Sequence, residues 1–436
     1  MLARCLNFRL AWHGLARPGS PINLTYSVTN ACHSRCKSCD IYLVYRKDPT
    51  LHRSELTLEE VERTFRSIGR IFFFNISGGE PFLRRDLPDI VELALRHLRP
   101  RVIHIPTNAI SPRLIEERLG DILARVERLA PGTPVTVKPS LDGYGKLHDE
   151  VRGVPGNFAL VEETLGVLRT LQARHPNLKI GLGTVVSTLN VHGLREVFDY
   201  VERVKPDTYI NEVAEERTEM FNVGRGITPD ADTYERAVGV FRERMPRFMA
   251  GKAGLSRLTL AFRLFYYDIV VRILRERRQV IPCYGGISNV HVSPYGDVWP
   301  CCVLGYEKSL GNLRDSGFDF WSIWRSQRAA EVRNYIKDGK CACPLANQSY
   351  ANILLHVRSM FRVGLRYFFP GTATRGKAAA APVAADGPST ATLPGLETAE
   401  VRARAEVPLE VRTGGDLRGA AGRPAGRPET ALSRSV

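Results

Sequence analysis

Between residues 22 and 210 the apolar positions change rhythm repeatedly. Short runs rich in Val, Ile, Phe and Thr occupy 22–28, 71–76, 101–105, 135–140, 179–186 and 207–210, and their length and composition predict β-strands. Between them apolar residues recur every three to four positions over 58–68, 87–98, 112–129, 158–173 and 194–204, the spacing of amphipathic helices. Thr57 with Glu60 predicts a capping box, and Ser111-Pro112 and Thr228-Pro229 place proline at a first helical position. Strands and helices alternating at this spacing predict parallel βα units. The strand count is six, short of the eight that close a full barrel. Further on, a long apolar helix is expected over 255–278. A hairpin should follow, from the alternation Val290/Val292, the turn Pro294-Tyr-Gly296-Asp297 and Val298.

Composition narrows the class. At 436 residues and 44% hydrophobic, the chain can bury one large core and a second small one. No apolar run approaches the roughly 20 residues that span a bilayer. The first twelve residues are too short and too interrupted by Arg for a signal peptide, so 1–20 reads as an N-terminal extension. The net charge of +15 invites a nucleic-acid partner, but Arg is spread over the whole chain and no aromatic-plus-basic motif accompanies it, so no nucleic acid is expected. Residues 371–436 are rich in Ala, Gly, Pro, Arg and Thr and poor in large apolar residues, the composition of a disordered tail. Its nine basic and seven acidic residues leave most of the positive charge to the folded part.

The densest chemistry lies just past the first strand, in Thr29-Asn-Ala-Cys32-His-Ser-Arg-Cys36-Lys-Ser-Cys39-Asp. Three thiolates on one short loop can hold three corners of a 4Fe–4S cubane, leaving the fourth iron open for a small molecule. Zinc is the rival, although its sites favour paired Cys-x2–4-Cys clips or mixed Cys/His sets. His33 reads as a loop residue facing solvent. Downstream, an apolar run ends in Gly78-Gly79-Glu80-Pro81, where two glycines allow a close backbone approach and Glu80 can accept hydrogen bonds from an ammonium.

The Cys-x3-Cys-x2-Cys loop followed by Gly-Gly-Glu-Pro resembles the radical S-adenosylmethionine (SAM) superfamily. The resemblance continues through Thr107-Asn108 after the third run, Ser140-Leu-Asp142-Gly143 after the fourth, and His148-x3-Arg152-Gly153 with Gly156-Asn157-Phe158. It implies a partial (β/α)6 TIM-like barrel over 21–225. It also implies that Cys32, Cys36 and Cys39 hold the SAM-binding 4Fe–4S cluster, and that SAM lies against Gly78, Gly79, Glu80, Pro81, Asn108, Ser140 and Asp142. Two departures concern adenine: Ser38 stands where many members carry an aromatic residue, and the Gly-x-Ile-x-Gly motif is only loosely present around Gly181 and Gly183.

A second group comprises Cys283, Cys301, Cys302, Cys341 and Cys343. The hairpin brings Cys283 and Cys301 together, and Cys341-Ala-Cys343 completes four ligands; a zinc ribbon and buried free thiols are the competing readings. The Cys-x12-Gly-x4-Cys pattern resembles the SPASM/Twitch auxiliary-cluster domain. Five cysteines are fewer than the seven of its two-cluster form, which implies a single auxiliary 4Fe–4S cluster over 281–350, joined to the barrel by a helical linker at 226–280. Cys302 can replace Cys301 or one of the last pair, and Cys5 reads as an ordinary thiol.

The implied activity is reductive cleavage of SAM to a 5′-deoxyadenosyl radical that takes hydrogen from a substrate, with a flavodoxin- or ferredoxin-type electron donor. The single-cluster form leans the reading towards a small-molecule or lipid-linked substrate and an oxidation or rearrangement. A peptide-modifying maturase is the alternative, and a non-catalytic iron–sulfur carrier is the alternative of another class. The run Asn211-Glu212-Val-Ala-Glu215-Glu216 reads as a solvated helix start, with a substrate-facing role as the sharper option. Exposed thiolates and clusters point to a reducing cytoplasm. Residues 351–370 read as a basic amphipathic helix with Arg358, Arg362 and Arg366 on one side. It is expected either to close the barrel or to make a peripheral contact at the inner face of the membrane.

Overall fold

The structure is a computed structural model that describes residues 2–249 and 254–369. The tail expected at 371–436 lies outside the described residues.

The alternating pattern folds as six parallel strands: β1 (Asn23–Ser27), β2 (Phe73–Ser77), β3 (Val102–Thr107), β4 (Val135–Pro139), β5 (Leu178–Val186) and β6 (Thr208–Val213). One side of each strand is packed into the core through residues such as Leu24, Tyr26, Phe74, Ile76, Ile103, Ile105, Val135 and Val137, all fully buried. The other side is polar: Thr25, Asn75, His104, Lys138 and Glu212 line one cavity of about 290 Å³. In a filled barrel those positions are bulky and branched. Here period-two alternation turns polar groups inward, and the interior is left as a binding space.

The helices begin where their caps dictate. The Leu58–Ile68 helix has a full capping box, with Thr57 Oγ1 accepting from Glu60 N at 3.3 Å and Glu60 Oε2 accepting from Thr57 N at 2.9 Å. The Pro112–Leu129 helix starts on its proline. The start expected at Thr228-Pro229 is displaced to Ala231–Met249. Asp230 caps that helix, its carboxylate accepting from Asp232 N at 3.0 Å and Thr233 N at 2.9 Å.

The sheet does not stop at β1. The expected hairpin forms as β7 (Asn289–Val292) and β8 (Asp297–Trp299), and β7 pairs in parallel with β1. With β9 (Gly311–Asn312) the order is β6-β5-β4-β3-β2-β1-β7-β8-β9. The cysteine-rich segment therefore extends the barrel sheet rather than forming a sheet of its own. The Gly254–Glu276 helix anchors its last loop, Tyr266 Oη donating to Pro344 O at 2.9 Å.

Residues 352–369 do not form one helix. Ala346–Leu355 and Val357–Phe368 are separate helices that meet at His356. In a continuous helix the Leu355 carbonyl would accept from the amide of Ser359; instead it accepts from Arg9 Nε at 2.8 Å.

Candidate active site and cysteine centres

The loop after β1 is held on three sides. Gly79 N donates to Thr29 O at 2.8 Å and Glu80 N to Ala31 O at 2.7 Å, so the Gly-Gly-Glu-Pro turn lies flat against the loop backbone. A Cβ on Gly78 would stand 2.2 Å from Thr29 O and one on Gly79 2.3 Å from Ala31 O, and Gly78 has φ +126°. The glycines were expected to admit a ligand; what they admit is the cysteine loop itself. On a second side Arg35 N and Lys37 N donate to the carbonyls of Arg152 and Val151 at 3.1 and 2.9 Å. On the third, Asn222 Nδ2 donates to Ser38 O at 2.7 Å and Arg225 pairs with Asp40.

Cys32, Cys36 and Cys39 are half-buried and line the cavity together with Gly78, Gly79, Asn108, Ser140 and Asp142. Burial pushes the Cys32 and Cys39 thiols up to about 12, with neighbouring Cys36 as the next cause. Thiolates at these positions need a compensating positive charge, as bound iron supplies. Arg152, buried beside Cys32 and Cys36, supplies part of it and is fixed by Asp142 Oδ2 at 3.0 Å.

Two expected SAM residues are already engaged. Glu80 is buried; its Oε1 accepts from Thr107 Oγ1 at 3.0 Å and Phe82 N at 3.2 Å, and its Oε2 from Asn108 N at 2.7 Å. Burial pushes it up to about 7. Asp142 accepts from Arg152 and, through Oδ1, from Val185 N at 2.8 Å. Both tie strand ends together. Pro81, buried, opens the short turn Pro81–Leu83. His33 does not face solvent: its Nε2 meets Ser111 Oγ at 3.0 Å and its Nδ1 meets Asn108 Nδ2 at 3.2 Å. Asn108 Nδ2 also lies 3.7 Å from Cys32 Sγ, so His33 and Asn108 together brace the first cysteine. Beside Ser38, where the family aromatic is missing, Tyr42 lines the cavity as its one Phe, Tyr or Trp ring.

The second group gathers from three segments: Cys283 before β7, Cys301 after β8, and Cys341 and Cys343 before the Ala346–Leu355 helix. Each thiol is pushed up by burial first; after it Cys302, Cys283 and Cys341 act on Cys301, and Glu215, Cys301 and Cys283 on Cys343. Cys302 also has partners outside the group. Arg217 Nη1 lies 2.8 Å from its Sγ, and Glu219, His291 and Cys302 have donor atoms within 4.8 Å of one another. Among the described residues no other three His, Cys, Asp or Glu are so tightly grouped. Among the described residues no three sulfurs of either cysteine group lie all within 4.8 Å of one another, whereas zinc–sulfur bonds of about 2.3 Å would draw tetrahedral ligands closer. The tight group holds the Arg217 guanidinium, which supplies the positive charge there. Cys5 sits half-buried against the small cluster around Phe8 and Tyr284, as an ordinary thiol would.

The run from Asn211 to Glu216 is not a solvated helix start, since its first three residues belong to β6. Glu212 and Glu215 line the cavity with Arg217, Glu219 and His291. Glu215 is buried, and burial pushes it up to about 7 against the pull of Arg217 and of the Leu345 backbone amide. Sequence reasoning passed over Arg152, Arg217, Glu219 and His291. The one available signal was Arg152, inside a motif that had been noted without a role. Cys301 and Cys302 line the same cavity as the first cysteine loop. No helix among the described residues is long and apolar enough to cross a membrane.

Comparison with known proteins agrees with this geometry. The radical SAM superfamily model matches residues 26–201, and an iron–sulfur cluster-binding domain model, SPASM, matches 283–344. The chain is 21% identical to the antilisterial bacteriocin subtilosin biosynthesis protein AlbA of Bacillus subtilis, over 77% of this chain and 69% of that protein. It is 28% identical to the mycofactocin maturase MftC of Mycobacterium ulcerans, over 72% and 76%. It is 26% identical to the AdoMet-dependent heme synthase of Oleidesulfovibrio alaskensis, over 73% and 78%. Its fold resembles that of Streptococcus suis SuiB bound to the precursor peptide SuiA, with TM-score 0.52 and 16% identity over 74% and 69% of the two chains. A radical SAM domain implies a 4Fe–4S cluster and SAM, and a SPASM domain implies auxiliary iron–sulfur. The chain carries a radical SAM superfamily domain over residues 26–201 and, on the edge of its barrel sheet, a SPASM iron–sulfur cluster-binding domain over 283–344.

Proposed function

We propose that this enzyme modifies a peptide. That reverses the lean towards a small molecule drawn from the cysteine count. The reading is carried by similarity to a maturase and a bacteriocin biosynthesis protein over more than 70% of the chain, more than the barrel domain alone spans. The fold neighbour bound to a precursor peptide supports it.

In this reading Cys32, Cys36 and Cys39 would hold the first 4Fe–4S cluster, and SAM would bind at it beside Gly78, Gly79, Asn108 and Ser140. Glu80, Pro81 and Asp142 act behind them as ties that hold the strand ends in place. Cys283, Cys301, Cys341 and Cys343 hold one closed auxiliary 4Fe–4S cluster, and Cys302 is left to the cavity. Bound together and reduced by a flavodoxin- or ferredoxin-type donor, cluster and SAM supply the radical chemistry that removes hydrogen from an unactivated C–H bond. The chain's own residues orient that bond. Glu215, buried in the cavity wall near Arg217, would take an N–H group or a proton from the peptide, and Arg217 steadies the wall through Cys302 and Glu219. The clusters call for a reducing compartment such as the cytoplasm.

A small-molecule substrate is the second reading, favoured by the heme synthase relative. The discriminating experiment incubates reconstituted enzyme, SAM and dithionite with peptides translated from short reading frames flanking its gene. Mass spectrometry should show a peptide changed by loss of hydrogens, with 5′-deoxyadenosine rising in step. Unchanged peptides, and 5′-deoxyadenosine stimulated instead by a small-molecule extract, would overturn the peptide reading.

A further inference from the structure

The Val357–Phe368 helix presents one side to the protein and a different one to water. Inward, Ser359 and Val363 are buried, Arg366 pairs with Asp268, and the Tyr367 carbonyl accepts from Arg257 Nε at 2.8 Å. Those contacts fix the helix's rotation. Outward, Val357, Phe361, Leu365 and Phe368 recur at intervals of four, four and three residues, which is a single stripe on a helix. Their exposures are 64, 69, 45 and 70%, and Phe369 beyond them is 59% exposed. The other exposed large apolar residues among those described are scattered along the chain. A contiguous apolar stripe in water marks an interaction surface.

Charge decides what covers it. Arg358 and Arg362 are exposed beside the stripe, and residues 339–385 contain six Lys or Arg and no Asp or Glu. A second copy of this face would set arginine against arginine. An anionic lipid surface instead takes the phenylalanines into its acyl boundary and the guanidiniums at its headgroups. We propose that this helix lies flat in the interface of an anionic membrane, holding the enzyme there without a spanning segment. The inference is independent of which substrate the cavity takes.

Reconstituted full-length enzyme should co-float with phosphatidylcholine vesicles doped with phosphatidylglycerol and not with phosphatidylcholine alone. Binding should weaken with added salt. At about 1 kcal/mol per basic residue near the surface, Arg358→Gln with Arg362→Gln should weaken binding about thirtyfold. Phe361→Ser with Phe368→Ser should abolish it, and because all four side chains are exposed, iron content and melting temperature should match the parent. If the phenylalanine variant proves unstable, the arginine variant carries the test alone. No binding by the parent, equal binding to both vesicles, or identical partitioning of parent and variants would overturn the proposal. So would a parent dimer that the phenylalanine variant converts to monomer, since the occupant would then be a second copy.

Discussion

The two cysteine centres border one cavity yet are built in opposite ways. The first takes three thiols from eight consecutive residues, half-buried, on a loop whose backbone is bonded to the Gly-Gly-Glu-Pro turn and to the Arg152 segment. The second takes four thiols from three segments spread between Cys283 and Cys343, of which Cys283 and Cys343 are buried and Cys301 and Cys341 half-buried. The difference follows from what each must do. A site that receives SAM has to leave one iron and one side of its loop accessible, so rigidity comes from backbone bonds behind it. A site with four protein ligands has nothing to admit and can be enclosed by core elements such as the Gly254–Glu276 helix.

The contrast makes its sharpest claim at Cys301 and Cys302. Cys301→Ala should strip the auxiliary iron, about four atoms of an expected eight. Cys302→Ala should leave iron content unchanged while altering substrate turnover. Elemental analysis checks both, and iron loss in the Cys302 variant would return that residue to the ligand set. Next in size is Gly78→Ala. Its Cβ would meet a backbone carbonyl at 2.2 Å, and φ +126° already strains an L-residue. The first loop should lose its seat, and 5′-deoxyadenosine formation should fall at least about a hundredfold, a loss of ~2.7 kcal/mol. The auxiliary iron should stay in place.

A pH-dependent effect belongs to Glu215. Its folded pKa is raised from 4.5 to about 7, so the folded state holds the proton more tightly than the unfolded chain. Stability therefore falls as pH rises from about 4.5 through 7, and the penalty is complete above that. Glu215→Gln should raise the stability of the cluster-free protein by up to about 3 kcal/mol at pH 8, an advantage that shrinks towards pH 5. Thermal melts at the two pH values check this; a variant gain that grows on acidification would contradict the placement of Glu215. The smallest effect is expected from Glu80→Gln. Three donors address its two oxygens, and the amide keeps one acceptor oxygen, so SAM cleavage should fall by about tenfold or less, measured as 5′-deoxyadenosine.

What the sequence made legible tracks the same contrast. The helices at 58–68, 112–129 and 194–204 fall where periodicity put them, because caps and amphipathic faces are local. The first cysteine loop is local too, and so was readable. Strand β6 runs to Val213 rather than 210 because Asn211 and Glu212 read as loop, although alternation sends Glu212 into the cavity. His291 and Arg217 come together only through the pairing of β7 with β1, a contact that no local pattern encodes. The break at His356 depends on Arg9, almost 350 residues away in the chain.

The loop of Cys32, Cys36 and Cys39 is expected to hold an open iron where SAM is cleaved, separately from the second cysteine centre. The most direct measurement is 5′-deoxyadenosine formed under anaerobic conditions with SAM and dithionite, comparing the reconstituted parent with Cys36→Ala, with iron counted on the same samples. The account predicts product from the parent at about eight irons, and none from the variant, which keeps about four. A variant that forms 5′-deoxyadenosine at the parent's rate would contradict it.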